Sequence, residues 1–143
     1  MIVDFEGLTG LRGGVTLVDG SFDPIHEGHI AYFAAARALG HPVLCNVCPD
    51  DWTIRKHPIL LTQAQRGVVL DAIRHLDYVH LSAVSTRDVL DQLRPSVYAK
   101  GKDWEARGGV PEAERAICAA RGIRVVYLDT VLNSSTAILG RRS

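Results

Sequence analysis

Along the chain, short apolar runs alternate with longer segments whose apolar residues recur at helical spacing. The runs 15–18, 43–47, 78–81, 97–99 and 125–128 are too short for helices and predict five strands. Their near-continuous apolarity marks strands covered on both faces. Helices are predicted over about 26–39, closed by Gly40, and over about 62–76, opened by the capping box Thr62-Gln63-Ala64-Gln65. The second of these carries Val69, Ala72, Ile73 and Leu76 at helical spacing. A short helix over 86–93 is capped by Ser85 and stopped before Pro95, and another runs from Pro111 to about Arg121, with Gly122 as its stop. Residues 48–61 and 100–104 read as loops, and Ser134-Ser135-Thr136 opens a last short helix with Ile138 and Leu139. Alternation of this kind predicts an α/β fold, a Rossmann-like doubly wound parallel five-stranded sheet. Such sheets bind ligands beyond the C-terminal ends of their strands.

Composition narrows the classes. The length, 143 residues, suits a single domain over 1–143. The formal net charge is zero, which argues against a broad nucleic-acid-binding surface but leaves room for a local basic pocket. No 18-residue apolar run is present, so no membrane partner is expected. The acidic start, residues 1–6, has no signal-peptide pattern, and a cytoplasmic location is expected. Cys45 and Cys48 have C-x-x-C spacing but fall in or beside a strand, where residues three apart face opposite ways. Buried strand cysteines are the better reading than a redox pair or a zinc site, and no protein metal site is expected.

The chemistry concentrates in Gly20-Ser21-Phe22-Asp23-Pro24-Ile25-His26-Glu27-Gly28-His29, where the first strand hands over to the first helix. A helix start offers backbone N–H groups and a positive dipole end to an anion. Two imidazoles beside it suit phosphate chemistry. Further stations follow later strands. Asp50 and Lys56 lie in the loop after the second strand: the lysine can reach a phosphate and the aspartate can hold a hydroxyl or magnesium. Arg66 sits in the first turn of its helix, where it opposes the dipole, and a functional cation becomes more plausible there. After the fourth strand, Lys100 can pair with phosphate, Gly101 lets backbone approach a ligand, Asp103 can accept hydrogen bonds and Trp104 can pack on a ring. Ser134, Ser135 and Thr136 form a second helix start able to hold an anion.

Taken together, these stations resemble the cytidylyltransferase-like nucleotidyltransferases, which include glycerol-3-phosphate cytidylyltransferase and the adenylyltransferase domain of ADP-heptose synthase. The resemblance covers nearly the whole chain. It rests on the H-x-G-H signature within Gly20 to His29, Asp50 and Lys56 six apart, Arg66, the run Lys100-Gly101-Lys102-Asp103-Trp104, and Ser134-Ser135-Thr136-Ala137-Ile138. It implies transfer of a nucleoside monophosphate from a nucleoside triphosphate to a small phosphorylated substrate, with magnesium accompanying the triphosphate and pyrophosphate leaving. His26, His29 and Lys56 would be catalytic. Gly20, Ser21, Phe22, Gly28, Lys100, Gly101, Asp103, Ser134, Ser135 and Thr136 would hold the nucleotide. Asp23, Asp50, Arg66 and Trp104 would meet the phosphorylated substrate. A homodimer is also implied.

Asp19 departs from the asparagine usual in the heptose type, and Ser135 from a threonine. The segment 128–133 lacks the R-T-E-G of the glycerol-3-phosphate type, so ATP is expected over CTP. The competing readings are a CTP-dependent cytidylyltransferase, a nucleotide-binding protein without catalysis and, more distantly, a redox module on Cys45 and Cys48.

Overall fold

The computed structural model describes residues 1–130. Five parallel strands, β1 (Thr16–Gly20), β2 (Val43–Val47), β3 (Tyr78–Leu81), β4 (Val97–Gly101) and β5 (Arg124–Leu128), form one sheet in the order β3-β2-β1-β4-β5. The chain winds outward from β1 to β3, then returns to place β4 on the other side of β1. The order therefore reverses at β1, as in a doubly wound sheet. Every residue of β2 and β4 is buried, as the continuous apolar runs require of strands covered on both faces.

Helices α1 (Glu27–Arg37) and α3 (Gln63–Asp71) cover one face. Their Phe33, Ala36 and Leu70 pack with Val18, Cys45, Val47 and Ala99. Helices α4 (Thr86–Leu93) and α6 (Glu112–Arg121) cover the other, where Leu90, Leu93 and Ile117 meet Leu17, Leu44 and Tyr98. Two shorter helices, α2 (Asp50–Thr53) and α5 (Lys102–Ala106), lie in the stretches read as loops. No described helix is long and apolar enough to cross a membrane.

Three local expectations change. The helix expected to reach residue 76 ends at Asp71, and its last turn tightens through Ala72 N–H to Val69 O and Ile73 N–H to Leu70 O. Val69 therefore points outward, 40% exposed, and the face turned inward carries Arg66, Gly67 and Leu70. Strand β4 continues through Lys100 and Gly101 rather than stopping at Ala99, so that lysine is held by the sheet. The N-terminal segment also joins the fold. Ile2 bridges to Val79, and a 3₁₀ turn, Glu6–Leu11, buries Leu8 completely. Cys45 is buried in the sheet and Cys48 stands beyond the end of β2; neither forms a disulfide.

Candidate active site

Helix α1 begins on a cap built from two histidines. His26 is the N-cap, with extended backbone, and its Nδ1 accepts from Gly28 N–H at 3.1 Å. His29 turns back, and its Nδ1 accepts from His26 N–H at 3.2 Å. Orphan N–H groups of the first turn are satisfied reciprocally, in the manner of a capping box. The geometry has a chemical consequence. An Nδ1 that accepts holds no proton, so the proton of each neutral ring sits on Nε2. Both rings present an Nε2–H donor at the positive end of the helix. The rings stack with centroids 3.9 Å apart, and His26 Nε2 is buried without a hydrogen-bond partner among the described residues.

Burial, with the neighbouring His26 charge second, lowers the His29 pKa from 6.5 to about 3. His29 is therefore a neutral donor at pH 7. Phe22 fixes its ring from the side, edge-on at 5.0 Å, and packs at 5.4 Å against Phe33. Phe22 adopts a positive φ of 54°, and its ring folds over Gly20, where a Cβ would come within 3.0 Å of the ring. Phe22 was expected to touch nucleotide. It is 4% exposed and acts instead as a wedge behind His29.

Two residues expected at the phosphorylated substrate also have other duties. Asp23 is fully buried, and its carboxylate accepts from Leu60 N–H at 2.9 Å and Leu61 N–H at 3.0 Å, tying the loop after β2 to the histidine motif. The Arg66 side chain is enclosed entirely. Its Nη1 donates to Ser21 O at 2.6 Å and Cys48 O at 3.1 Å, its Nε to Leu61 O at 3.2 Å, and its Nη2 to Asp50 Oδ1 at 2.6 Å. Arg66 is thus a clamp on three loop segments, and Asp50 is its counter-ion. A helix-start arginine looks like a ligand group in sequence, but a buried guanidinium needs these carbonyls itself. Lys56 is exposed on the same loop and has no ion-pair partner among the described residues.

Lys100 was expected on a phosphate. Its ammonium is buried, 2.7 Å from Asp19 Oδ1 and 4.3 Å from the centre of the Trp104 ring. Trp104 also carries Arg107 at 5.0 Å, so cations already flank the ring expected against substrate. Asp19 Oδ2 accepts from the Tyr98 hydroxyl at 3.1 Å, and the same hydroxyl lies 2.7 Å from Glu114 Oε1. Desolvation raises the Glu114 pKa above the usual carboxylate value. Asp19, Tyr98, Lys100 and Glu114 thus form one buried polar network.

Tyr98 and Glu114 escaped the sequence reading because nothing local marks them. The strand register accounts for the ion pair. β1 and β4 pair Thr16 with Val97 and Leu17 with Tyr98, so counting two residues onward sets Asp19 opposite Lys100. At Gly101 a Cβ would lie 2.6 Å from Asp103 Oδ1 and 3.4 Å from Thr130 O, so a side chain there would displace the Asp103 carboxylate. Asp103 Oδ1 and Thr130 Oγ1 are buried without partners among the described residues, as His26 Nε2 is. Buried polar atoms are nearly always satisfied, so such atoms at the ligand edge of a sheet mark where a ligand belongs. Ser134, Ser135 and Thr136 lie outside the described residues. Among the described residues, no group of three or more His, Cys, Asp or Glu is placed to hold a metal ion.

The chain is 33% identical over 128 residues to the bifunctional protein HldE of Citrifermentans bemidjiense, covering 86% of this chain and 26% of that protein. It is 35% identical over 127 residues to the bifunctional protein HldE of Azotobacter vinelandii, covering 85% and 26%. The chain thus spans about a quarter of the length of these curated relatives. Among solved structures, the lipopolysaccharide core biosynthesis protein from Thermoplasma volcanium shares the fold, with a TM-score of 0.68 at 19% identity over 83% of this chain and 98% of that one. Pantoate-beta-alanine ligase from Francisella tularensis does so with a TM-score of 0.60 at 12% identity, over 94% and 68%. A family model described as cytidylyltransferase-like matches residues 17–138, from the first strand through the histidine cap and the β4 network, and the chain belongs to that family.

Proposed function

We propose that this chain transfers a nucleoside monophosphate from a triphosphate, ATP in preference to CTP, to a phosphorylated sugar or polyol. The single observation that carries the reading is the histidine cap, with its two Nε2–H donors at a helix start. An oxygen of the acceptor phosphate attacks the α-phosphorus. The new O–P bond forms as the bond from that phosphorus to the bridging oxygen breaks, and pyrophosphate departs with the electron pair. The acceptor phosphate is ionised near neutral pH, so no strong general base is needed. Catalysis rests on positioning and on stabilising developing charge.

His26 and His29 donate Nε2–H to the α-phosphoryl and bridging oxygens. A neutral imidazole suffices, because a preorganised donor in a dry site is worth far more than one in water. Lys56, exposed and without an ion-pair partner, supplies the mobile cation that Arg66 and Lys100 do not. Magnesium arrives with the triphosphate as part of the substrate. Kinship with the heptose type, and the absence of R-T-E-G before Ser134, support adenylyl transfer. The test is pyrophosphate release with magnesium-ATP and magnesium-CTP against glucose 1-phosphate, mannose 1-phosphate and glycerol 3-phosphate. Release with ATP and a sugar phosphate is expected. Release only with CTP and glycerol 3-phosphate would reverse the specificity, and none with any pair would overturn the reading.

A further inference from the structure

At the C-terminal ends of β2 and β3, the sheet edge opens into a groove of about 580 Å³, the size of a small-molecule site. It is lined by Asn46 and Ser82, at the ends of β2 and β3, by Glu114 of α6, and by Trp52 and Arg55. The groove's lining is tied to the candidate active site by hydrogen bonds and strand register. Its wall residue Cys48 donates its N–H to Gly20 O at 3.0 Å, at the start of the histidine motif. Asn46 is the register partner of Asp19, and Glu114 shares the Tyr98 hydroxyl with Asp19. A substrate whose phosphate meets the histidines can extend its body into this space.

The lining says what that body is. Asn46 Oδ1 lies 2.7 Å from His80 Nδ1, and burial lowers the His80 pKa, so the ring is neutral with its proton on Nδ1. His80 thereby fixes the carboxamide, and the Asn46 amide hydrogens are the donors left for the groove. Glu114 has one oxygen on Tyr98 and offers the other as an acceptor. A fixed donor and a fixed carboxylate on adjoining walls suit hydroxyl groups, which both accept and donate. Trp52 is 48% exposed, and Arg55 stands over its ring at 5.4 Å. A flat apolar ring beside polar groups matches the two-sided character of a sugar, whose carbon-bound hydrogens form an apolar face.

We infer that this groove binds the body of the acceptor, a phosphorylated sugar or polyol. Asn46 and Glu114 hydrogen-bond its hydroxyls, His80 holds Asn46 in position, and Trp52 covers its apolar face. The assignment rests on the nucleotidyl-transfer reading for where the phosphate lies, but its test can be read without turnover. The chain has two tryptophans, Trp52 and Trp104, and hence two indole N–H signals by ¹⁵N-resolved NMR, assigned with Trp52→Phe.

The probes are glucose 1-phosphate, mannose 1-phosphate and glycerol 3-phosphate, each titrated into the whole chain, with magnesium-ATP as the comparison. At least one phosphate ester should shift the Trp52 signal saturably. Glu114→Gln should weaken that ester about tenfold while magnesium-ATP affinity stays within about twofold. Trp52→Ala, a change at an exposed site that folding tolerates, should raise the acceptor KM by a similar factor with the nucleotide KM unchanged. A Trp52 signal that moves with magnesium-ATP and with none of the esters overturns the inference, as does an unchanged acceptor KM in both variants. Saturable ester binding without pyrophosphate release would instead sink the proposed reaction and leave the groove assignment standing.

Discussion

The histidine pair and the two buried cations differ in what their polar atoms already do. His26 and His29 satisfy the helix start with Nδ1 and keep Nε2–H for something else. Arg66 and Lys100 look at least as suited to phosphate in sequence, yet their donors face carbonyls, two carboxylates and an aromatic ring of the protein itself. What separates a residue that serves a ligand from one that builds the site is the balance of unused hydrogen-bonding capacity. Residue type and charge do not separate them.

The largest effect that can break this comparison is on folding. Arg66→Leu would leave three carbonyls and the Asp50 carboxylate without their donor, and should lower stability by about 3–5 kcal/mol in denaturant titrations. A ligand arginine would leave stability intact and move only KM. Lys100→Met comes next, at about 3 kcal/mol, because the buried Asp19 side chain loses its counter-ion. If Lys100→Met instead unfolds at the wild-type midpoint but binds magnesium-ATP poorly, the lysine serves the ligand.

Gly20→Ala should cost about 1–2 kcal/mol, since the Phe22 ring must yield a few tenths of an ångström, and it should slow turnover by tilting His29. A separate effect falls on the pH profile. The folded-state pKa of His29 lies below its unfolded value, so the unfolded chain binds the extra proton. Its contribution is complete above pH 6.5 and is lost as pH falls from there to about 3. Stability measured across that window should fall less steeply in His29→Gln than in wild type, and an equal slope would mean the ring is not held neutral.

Much of the architecture was legible, because parallel strands announce themselves as short apolar runs and helices by their caps. The capping box at Thr62 and the cap at Ser85 are both present. The misses have physical causes. The end of α3 depends on how the chain must turn to bring Asp77 to Val43 N–H, a contact 34 residues away. Lys100 was placed in a loop because its charge masked a strand, and the partner that neutralises it lies 81 residues earlier. Spacing located the histidines, but their tautomers follow only from which backbone N–H meets which ring nitrogen. Asn46 and Glu114 look like ordinary polar residues until the fold places them on one groove.

The most direct measurement is pyrophosphate release by His26→Asn. Asparagine is a preferred N-cap and keeps an acceptor for the Gly28 N–H, so the helix start and the fold should survive. It has no group where His26 Nε2–H stands. Wild-type stability with turnover about a hundredfold lower is the predicted result. Wild-type stability with near wild-type turnover would show that His26 only caps the helix, and would contradict the assignment of the histidine pair.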